Sequence, residues 1–430
     1  MLRDIGVADF EELIKTVPAS LRLSKPLMLP QALSELELDR EIRGLAAKNS
    51  PVDACFAGGG AYDHFAPAAV DHILLRSEFY TAYTPYQAEV SQGTLQTMYE
   101  FQTFISRLTG LGVTSASLYD GATALAEAVL MAVSHTGRDE ILISQTVNPH
   151  YLETVRTYVS GLDVTIKAIP AFDGSTDFNE IRSKVSEHTA AVVLQNPNFF
   201  GQIERIKDIA PEIRNRGGLL IDIYDPLSLG LLISPGDCGA DIAVGDGQSL
   251  GIPLNYGGPY LGLLSARREF LRKMPGRLSG RTKDSRGRVG FVMTLQTREQ
   301  HIRRERATSN ICTNQALCAL AATVYLSLLG PDGLKKIGMM CHSGAHYAAD
   351  AIKKIPGFSP KFNGPFFKEF VMETPAPPVR IINKLARKNI LAGIDMGRFR
   401  LGLKGCLMIA VTEKRSKSQI DNLVYELSKV

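Results

Sequence analysis

The sequence predicts an α/β protein with a mostly parallel sheet flanked by helices. Between residues 95 and 260, short apolar runs alternate with longer segments that have the 3.6-residue apolar period of a helix. Strands that are apolar on both faces are typical of a parallel sheet covered by helices on both sides. Helical patterns precede this region and mixed patterns follow it, which predicts an N-terminal helical arm and a small C-terminal α+β domain.

The N-terminal arm is predicted to span residues 1–75. One short helix starts at Asp9, and Ser34 with Glu37 has the spacing of a capping box that opens a second helix. Pro26 and Pro30 impose an extended stretch between the two helices. A glycine run at residues 56–62 follows, which we interpret as a tight turn with close backbone approach.

The large α/β domain is predicted to span residues 76–325 and the small domain residues 326–430. Helices are predicted at 95–108 and 121–134, and strands at 140–144, 164–169, 190–194, 219–222 and 242–244. In the small domain we predict helices at 344–354, 378–388 and 417–427, with strands at 367–372 and 407–412.

Composition argues against several functional classes. The 430 residues are 45% hydrophobic and 21% charged, and the net charge of +4 is too small to indicate nucleic acid or a membrane surface as partner. The six cysteines form no CxxC pair, which argues against a zinc site and indicates a reducing cytoplasm. We see no signal peptide and no uninterrupted apolar run of the ~18 residues that a membrane span needs. We therefore expect a cytoplasmic protein without a metal, nucleic-acid or membrane partner.

Three features have the order found in a large class of pyridoxal-phosphate (PLP) enzymes. Asp120, Gly121, Ala122 and Thr123 open an alanine-rich helix, whose electropositive N-terminus suits a phosphate. Asp222 is predicted to end a strand, where such enzymes place the carboxylate that pairs with the pyridine nitrogen. We interpret these residues as a vestigial cofactor pocket.

The third feature, the lysine that should bind PLP covalently, is missing. The position that follows the next strand, 248 − 222 = 26 residues after Asp222, is Gln248, and the chain has no lysine between Lys207 and Lys273. A glutamine amide cannot condense with an aldehyde. The sequence therefore predicts that the chain has no catalytic residue of its own.

Several long motifs resemble one protein family. These are residues 79–93 (FYTAYTPYQAEVSQG), 119–128 (YDGATALAEA), 253–259 (PLNYGGP), 274–277 (MPGR) and 295–313 (LQTREQHIRRERATSNICT). They are similar to the P-protein family of the glycine cleavage system, specifically to subunit 1 of its two-chain glycine dehydrogenase (decarboxylating). The similarity runs from about residue 10 to the C-terminus.

The resemblance implies a fold-type-I PLP-dependent transferase-like architecture and a lysine-bearing subunit 2 as partner in an α2β2 assembly. PLP is then expected on the partner and not covalently on this chain. The assembly would decarboxylate glycine and pass the aminomethyl group to the lipoyl arm of the lipoylated H-protein.

The motif at 79–93 is a candidate lining for the partner's active site. It combines aromatic hydroxyls, amides, a carboxylate and a proline-fixed turn, which suits a hydrogen-bonding cleft wall; its candidate residues are Tyr83, Pro85, Tyr86, Gln87, Glu89 and Gln92. It would face the partner's PLP or the channel for the lipoyl arm. The alternative is a packing loop between subunits.

The motif at 298–313 is a candidate anion site that approaches the partner's cofactor phosphate. Its candidates are Arg298, His301, Arg303, Arg304, Thr308, Ser309 and Asn310, with the last three capping a helix predicted at 311–328. The alternative is an interface salt-bridge network with Glu299 and Glu305. The surrounding block 267–306 has 13 Lys/Arg against 4 Asp/Glu, but it lacks the interleaved aromatics of a nucleic-acid site.

Two other functional classes stay open. The chain could be a regulatory or scaffold protein that has lost the chemistry, or a self-sufficient transferase that uses Lys273 or Lys283. Both lysines lie in a glycine- and arginine-rich stretch without a preceding strand, which disfavours the second class.

Overall fold

A computed structural model describes residues 1–307 and 309–430, which form two compact units, Met1–Pro51 and Val52–Val430. The first unit contains helices Leu2–Ile5, Phe10–Leu13 and Glu35–Ala46, and none of their residues is buried. The predicted capping box is confirmed: the Ser34 hydroxyl accepts from the Glu37 N–H, and the Glu37 carboxylate accepts from the Ser34 N–H at 2.8 Å.

The second unit is built on a seven-stranded sheet. Its strands are β1 (Val113–Thr114), β2 (Glu140–Ser144), β3 (Thr165–Ile169), β4 (Thr189–Asn196), β5 (Leu219–Tyr224), β6 (Ile242–Asp246) and β7 (Gly262–Ala266). The order across the sheet is β1-β7-β6-β5-β4-β2-β3. Strands β2 to β6 are mutually parallel, and β7 runs antiparallel to both neighbours.

Helices cover both faces of this sheet because its strands are apolar on both faces. Ile221 and Ile223 pack in one core with helices Gly121–Thr136 and Pro149–Val159. The opposite face is covered by helices Gln92–Thr109, Phe178–Lys184, Ala210–Asn215 and Ala316–Ile352. The predicted mostly parallel sheet flanked by helices is therefore confirmed, and all five predicted strands are present.

Several strands were not predicted from the sequence, among them β1, β7 and a two-stranded hairpin. Strand β7 follows a glycine-rich loop, and its short apolar run has no helix between it and β6. A hairpin of Leu278–Lys283 and Val289–Thr294 lies within the basic block. Its exposed residues are largely polar, so apolar periodicity does not mark it.

The helix predicted at 311–328 begins later, at Ala316, and runs to Ile352 with an interruption at Gly330 before Pro331. Ser309 and Asn310 therefore do not cap it, and its N-cap is Gln315. By length and composition this helix could cross a membrane. Its buried residues pack in the cores of the sheet and of the C-terminal region, as those of a long core helix do.

The C-terminal region forms a four-stranded sheet in the order Ser359–Pro360, Glu369–Glu373, Cys406–Ala410, Ile394–Asp395. Helices Pro378–Ala386 and Lys417–Leu427 pack against it. Ala54–Cys55 pairs with Ile390–Leu391, so residues 52–75, assigned above to the arm, lie in the larger unit. Helix Ala68–Leu74 lies in that segment, and helix Ser77–Tyr80 follows directly after it.

Candidate functional site

A small cavity lies at the carboxyl edge of the parallel strands, where ligands of open α/β sheets bind. Its volume is ≈50 Å³. Strand ends and following loops contribute Gln195, Asn198, Asp225, Asp246 and Gln248, the glycine run contributes Tyr62, and the small sheet contributes Lys368 and Glu369. Gln248 lines this cavity, whereas the residues predicted for the vestigial cofactor pocket, Asp120, Gly121, Ala122, Thr123 and Asp222, do not.

Gln248 holds this region together through three hydrogen bonds of its buried amide. Its Oε1 accepts from the Tyr62 N–H at 2.9 Å, and its Nε2 donates to the carbonyls of Tyr62 at 3.0 Å and Ile252 at 2.7 Å. The residue that replaces the expected lysine is thus a structural tie between the loop after β6 and the glycine run.

The glycine run at residues 56–62 forms part of the cavity wall. The Glu369 carboxylate accepts from the Gly59 N–H at 2.7 Å and from the Tyr62 hydroxyl at 2.6 Å, and Asn148 donates to the Gly59 carbonyl at 3.1 Å. A Cβ atom at Gly58 would lie 2.2 Å from Glu369 Oε1. The interpretation of this run as a tight turn with close backbone approach is confirmed, and glycine is required because the loop lies directly on the small sheet.

A buried lysine that the sequence analysis missed lines the same cavity. Lys368 is 2% exposed, and its ammonium lies 2.6 Å from Asp225 Oδ2, 3.0 Å from His64 Nε2 and 3.6 Å from the centre of the Tyr62 ring. Burial and the Lys368 charge lower the pKa of His64. Lys368 lies 120 residues beyond Gln248 in sequence, 368 − 248 = 120, so no local pattern predicts its arrival here.

A group that could ligate a metal adjoins this network. His64, Cys341 and Glu413 each place one ligand atom within 4.8 Å of the others. His64 Nδ1 is hydrogen-bonded to Glu413 at 2.6 Å, and its other ring nitrogen faces the Lys368 ammonium. Because an ammonium at 3.0 Å repels a cation, the arrangement fits a hydrogen-bonded network better than a metal centre.

The helix N-terminus predicted to hold a phosphate is occupied by the protein's own carboxylates. Asp120 accepts from the Thr123 N–H at 2.7 Å, and Asp246 Oδ2 accepts from the Gly121 N–H at 3.0 Å. Ala122 lies between them, half-buried in the first turn. Burial raises the pKa of Asp246 to about 7, opposed by the hydrogen bonds from Gly121 and Gln248.

Asp222 does not lie where the sequence analysis placed it. Strand β5 continues to Tyr224, so Asp222 is inside the strand, and its side chain alternates away from the Ile221 and Ile223 face. It is 2% exposed, and its Oδ1 has no hydrogen-bond partner among the described residues. Burial, and then the charge of Glu204, raise its pKa well above the usual range. The acid at the strand end that lines the cavity is Asp225.

These residues do not fit PLP. The phosphate position on the helix N-terminus is occupied by Asp246, and the residue at the lysine position is an amide whose two N–H donors are both engaged within the chain.

The candidate lining motif at 79–93 is largely exposed. Tyr83 is 82% and Tyr86 53% exposed, and Gln87 and Glu89 are also at the surface. Pro85 is buried and anchors the turn. Gln92 pairs with the backbone of Phe291 through both amide atoms, at 2.8 and 2.9 Å, so it attaches the motif to the hairpin.

The candidate anion motif divides into structural and exposed residues. Arg298 donates to the backbone carbonyls of Leu295, Gly276 and Met274, so its guanidinium is engaged within the chain. Arg303 donates to the Thr297 carbonyl. The residues that stay at the surface are His301, Arg303, Arg304 and Asn310.

Intrachain ion pairs also form in this motif. His301 lies 3.6 Å from Glu299, and Arg306 lies 3.8 Å from Glu305. Ser309 is half-buried, and its hydroxyl accepts from the Ile311 N–H at 3.1 Å. Thr308 lies outside the described residues.

The two motifs meet. The Tyr86 ring packs edge-on against His301 with centroids 5.9 Å apart, and the guanidinium of Arg277 lies 5.7 Å from the same ring. The sequence analysis assigned no role to Arg277, which belongs to the 274–277 motif and is 4% exposed. Tyr86, His301 and Arg277 therefore form a candidate surface for contact with a partner. None of the three residues lines the cavity at Gln248.

Comparisons with known proteins agree with the motifs. The sequence model of the family described as "Glycine cleavage system P-protein" matches residues 1–427. A protein of Moorella thermoacetica called "Probable glycine dehydrogenase (decarboxylating) subunit 1" is 51% identical over 424 residues, covering 99% of this chain and 95% of its own. A protein of Carboxydothermus hydrogenoformans with the same name is 52% identical over 426 residues, covering 99% and 96%.

Solved structures show the same fold. A glycine decarboxylase (P-protein) of the glycine cleavage system in inhibitor-bound form is 42% identical with a TM-score of 0.93, covering 100% of this chain and 97% of that one. A glutamate decarboxylase of Lactobacillus brevis, 14% identical, has a TM-score of 0.71 over 95% of each chain and supports the PLP-transferase-like fold alone. The resemblance read from the motifs is thereby confirmed, and the chain belongs to the glycine cleavage system P-protein family.

Proposed function

We propose that this chain is the non-lysine-bearing subunit of a two-chain glycine dehydrogenase (aminomethyl-transferring). Its partner, subunit 2, carries the PLP-binding lysine, and the two chains form an α2β2 assembly in the cytoplasm. The assembly decarboxylates glycine, releases CO₂ and transfers the aminomethyl group to the lipoyl arm of H-protein. The subunit name of the relatives supports the two-chain organisation.

The observation that carries the proposal is the amide of Gln248 at the position of the missing lysine. Both of its N–H donors are engaged within the chain, the glycine run lies against it, and Asp246 occupies the helix N-terminus. A chain whose own pocket cannot hold PLP contributes to glycine chemistry by completing a site on a partner.

The residues suited to that contribution lie on the exposed motifs. PLP, when bound to the partner, supplies an electron sink for decarboxylation. Tyr83 and Tyr86 present aromatic surface and hydroxyls, and Gln87 and Glu89 present further polar groups beside them. Such side chains orient a polar substrate and exclude water from the reacting centre when a partner covers them.

The test is a PLP titration of the purified chain, of its lysine-bearing partner, and of their mixture. Each sample is reduced with borohydride, the labelled residue is located by mass spectrometry, and glycine decarboxylation is assayed. We expect label on the partner only and decarboxylation only in the mixture. Label on a lysine of this chain, or decarboxylation by this chain alone, contradicts the proposal.

The self-sufficient alternative now has a better candidate than the lysines named from sequence. Lys273 donates to Ser134 at the end of helix Gly121–Thr136, and Lys283 is exposed in the hairpin. Among described residues, Lys368 is the lysine that lines the cavity. Its nitrogen is engaged by Asp225 Oδ2 at 2.6 Å and by His64 Nε2 at 3.0 Å, so a cofactor aldehyde would have to displace these partners to reach it.

The scaffold alternative is separated by replacing the exposed tyrosines. In the assembled enzyme, Tyr83→Phe or Tyr86→Phe should lower turnover while the size of the complex, measured by light scattering, stays the same. Arg281→Gln, an exposed position on the hairpin, is the control. If neither tyrosine substitution changes turnover, the cleft-lining role is wrong and the result favours the scaffold alternative.

A further inference from the structure

Arg277 is a buried cation with an unused donor. It is 4% exposed, and its Nε has no hydrogen-bond partner among the residues that the structure describes. Its Nη1 makes a long hydrogen bond of 3.4 Å to Asn314, and its Nε lies 3.9 Å from Glu299, beyond hydrogen-bond distance. A guanidinium has five N–H donors, and buried donors are rarely left unpaired.

Arg298 in the same crevice shows the contrast. Its Nε and both terminal nitrogens donate to backbone carbonyls, which makes it a structural residue. Of these two arginines, Arg277 is the one with a buried nitrogen that no described residue engages. The anion-binding role that the sequence analysis gave to Arg298 therefore suits Arg277 better.

The N-terminus of helix Ala316–Ile352 adds to the site. No side chain caps this helix, and its N-cap residue Gln315 donates its own N–H to Ser117. Asn314, which Arg277 contacts, is two residues ahead of the first helical residue. The first-turn N–H groups of a helix favour an anion, and the Arg277 guanidinium reaches Asn314, just ahead of that turn.

Charge and access agree with an anionic ligand. The crevice is lined by two arginines, Arg277 and Arg298, and one acid, Glu299, so its local charge is 2 − 1 = +1. Glu299 and Ile311 also line an adjoining open hollow of ≈410 Å³. A ligand can therefore lie in the hollow and direct an oxyanion towards Arg277.

We propose that Arg277, with Asn314 and the N-terminus of helix Ala316–Ile352, binds an oxyanion of the small ligand held in the composite active site. The oxyanion is either the phosphate of the partner's cofactor or the carboxylate of glycine. On binding, it takes the Nε donor of Arg277 and displaces Glu299 from its 3.9 Å approach. This inference rests on the proposed function, because the ligand is borne by the partner.

The test uses the assembled two-chain enzyme with Arg277→Gln and Arg277→Lys, and Arg281→Gln as the control that removes an exposed charge four residues away. Three quantities are measured: the Kd for PLP of the apoenzyme, the Kd for pyridoxal, which lacks the phosphate, and the KM for glycine. Assembly and thermal unfolding are recorded for each variant. Lysine keeps the charge without the fork, so it carries the test if the glutamine variant does not assemble.

If Arg277 binds the phosphate, we expect Arg277→Gln to weaken PLP by about 10- to 100-fold and leave pyridoxal unchanged. If it binds the carboxylate, we expect the KM for glycine to rise by about the same factor with the Kd for PLP unchanged. Arg277→Lys should give a smaller change in the same quantity, and Arg281→Gln none.

The inference is overturned if all three quantities are unchanged in an assembled variant, or if PLP and pyridoxal weaken equally. The proposed function fails separately, and takes this inference with it, if the wild-type chain changes neither PLP binding nor turnover of the partner.

Discussion

Replacing Gln248 by leucine tests the claim that this residue is a structural tie. The substitution keeps the size of the side chain but leaves two backbone groups unpaired, the N–H of Tyr62 and the C=O of Ile252, whereas the C=O of Tyr62 keeps the His64 N–H at 3.0 Å. With about 1 kcal/mol for each unpaired group, the glycine run should lose about 2 kcal/mol of stability against local opening. That loss corresponds to about 30-fold faster exchange of the Tyr62 amide hydrogen.

Hydrogen exchange followed by mass spectrometry on the peptide that contains Tyr62 measures this loss directly. The control is Gln96→Leu, since Gln96 is an exposed amide that bonds to Glu100 on the same helix and should change stability by less than about 0.5 kcal/mol. If exchange at Tyr62 is as slow in Gln248→Leu as in the wild type, Gln248 does not hold the glycine run in place and the argument is refuted.

Three further tests concern Gly58, Glu127 and Asp222, the first with Gly93 as its paired control. Gly58→Ala should destabilise the chain by about 1–3 kcal/mol, because its Cβ would lie 2.2 Å from Glu369 Oε1, whereas Gly93→Ala, with nothing within 4 Å, should stabilise helix Gln92–Thr109 by about 0.5–1 kcal/mol. Thermal unfolding of both variants checks this, and equal midpoints would contradict it. Glu127→Gln should raise the unfolding midpoint at pH 8 and not at pH 4. Burial raises the folded-state pKa of Glu127 from 4.5 to about 7, so the free energy of unfolding of the wild type falls by about 3 kcal/mol as pH rises from about 4.5 to 7. A higher unfolding midpoint of Glu127→Gln at pH 4 would contradict this reasoning. Asp222→Asn should leave glycine decarboxylation by the assembled enzyme unchanged and should not destabilise the chain at neutral pH, because burial raises the pKa of Asp222 and one oxygen has no described partner. A loss of turnover without a loss of folding would restore its cofactor role.

Elements with a strong local pattern were predictable. Strand β2 and helix Lys417–Leu427 have the predicted bounds, and the Ser34 capping box forms as its spacing indicates. The residue at the lysine position could be identified as Gln248 because the spacing between successive strands of such a sheet is regular.

Elements whose neighbours are distant were not predictable in the same way. The helix expected from 311 begins at Ala316, because residues 309–315 bond instead to distant residues such as Tyr119 and Ser117. Asp222 looked like a strand end because the apolar run stops there, but β5 continues through pairing with β4 as far as Tyr224. Apolar periodicity does not detect such pairing, since it records only residues that are neighbours in sequence.

The sequence by itself determined the sheet, its covering helices, the family and the absence of a lysine at position 248, because each of these depends on residue types at short or regular spacing. Only the tertiary structure decided that the pocket is closed, that Lys368 and Asp225 line it, and that Tyr86, His301 and Arg277 meet. The physical reason is that closure depends on contacts such as Glu369 to Gly59, 310 residues apart, whose geometry is set by chain topology and strand register. Residue types alone do not specify which side chains such a fold brings together.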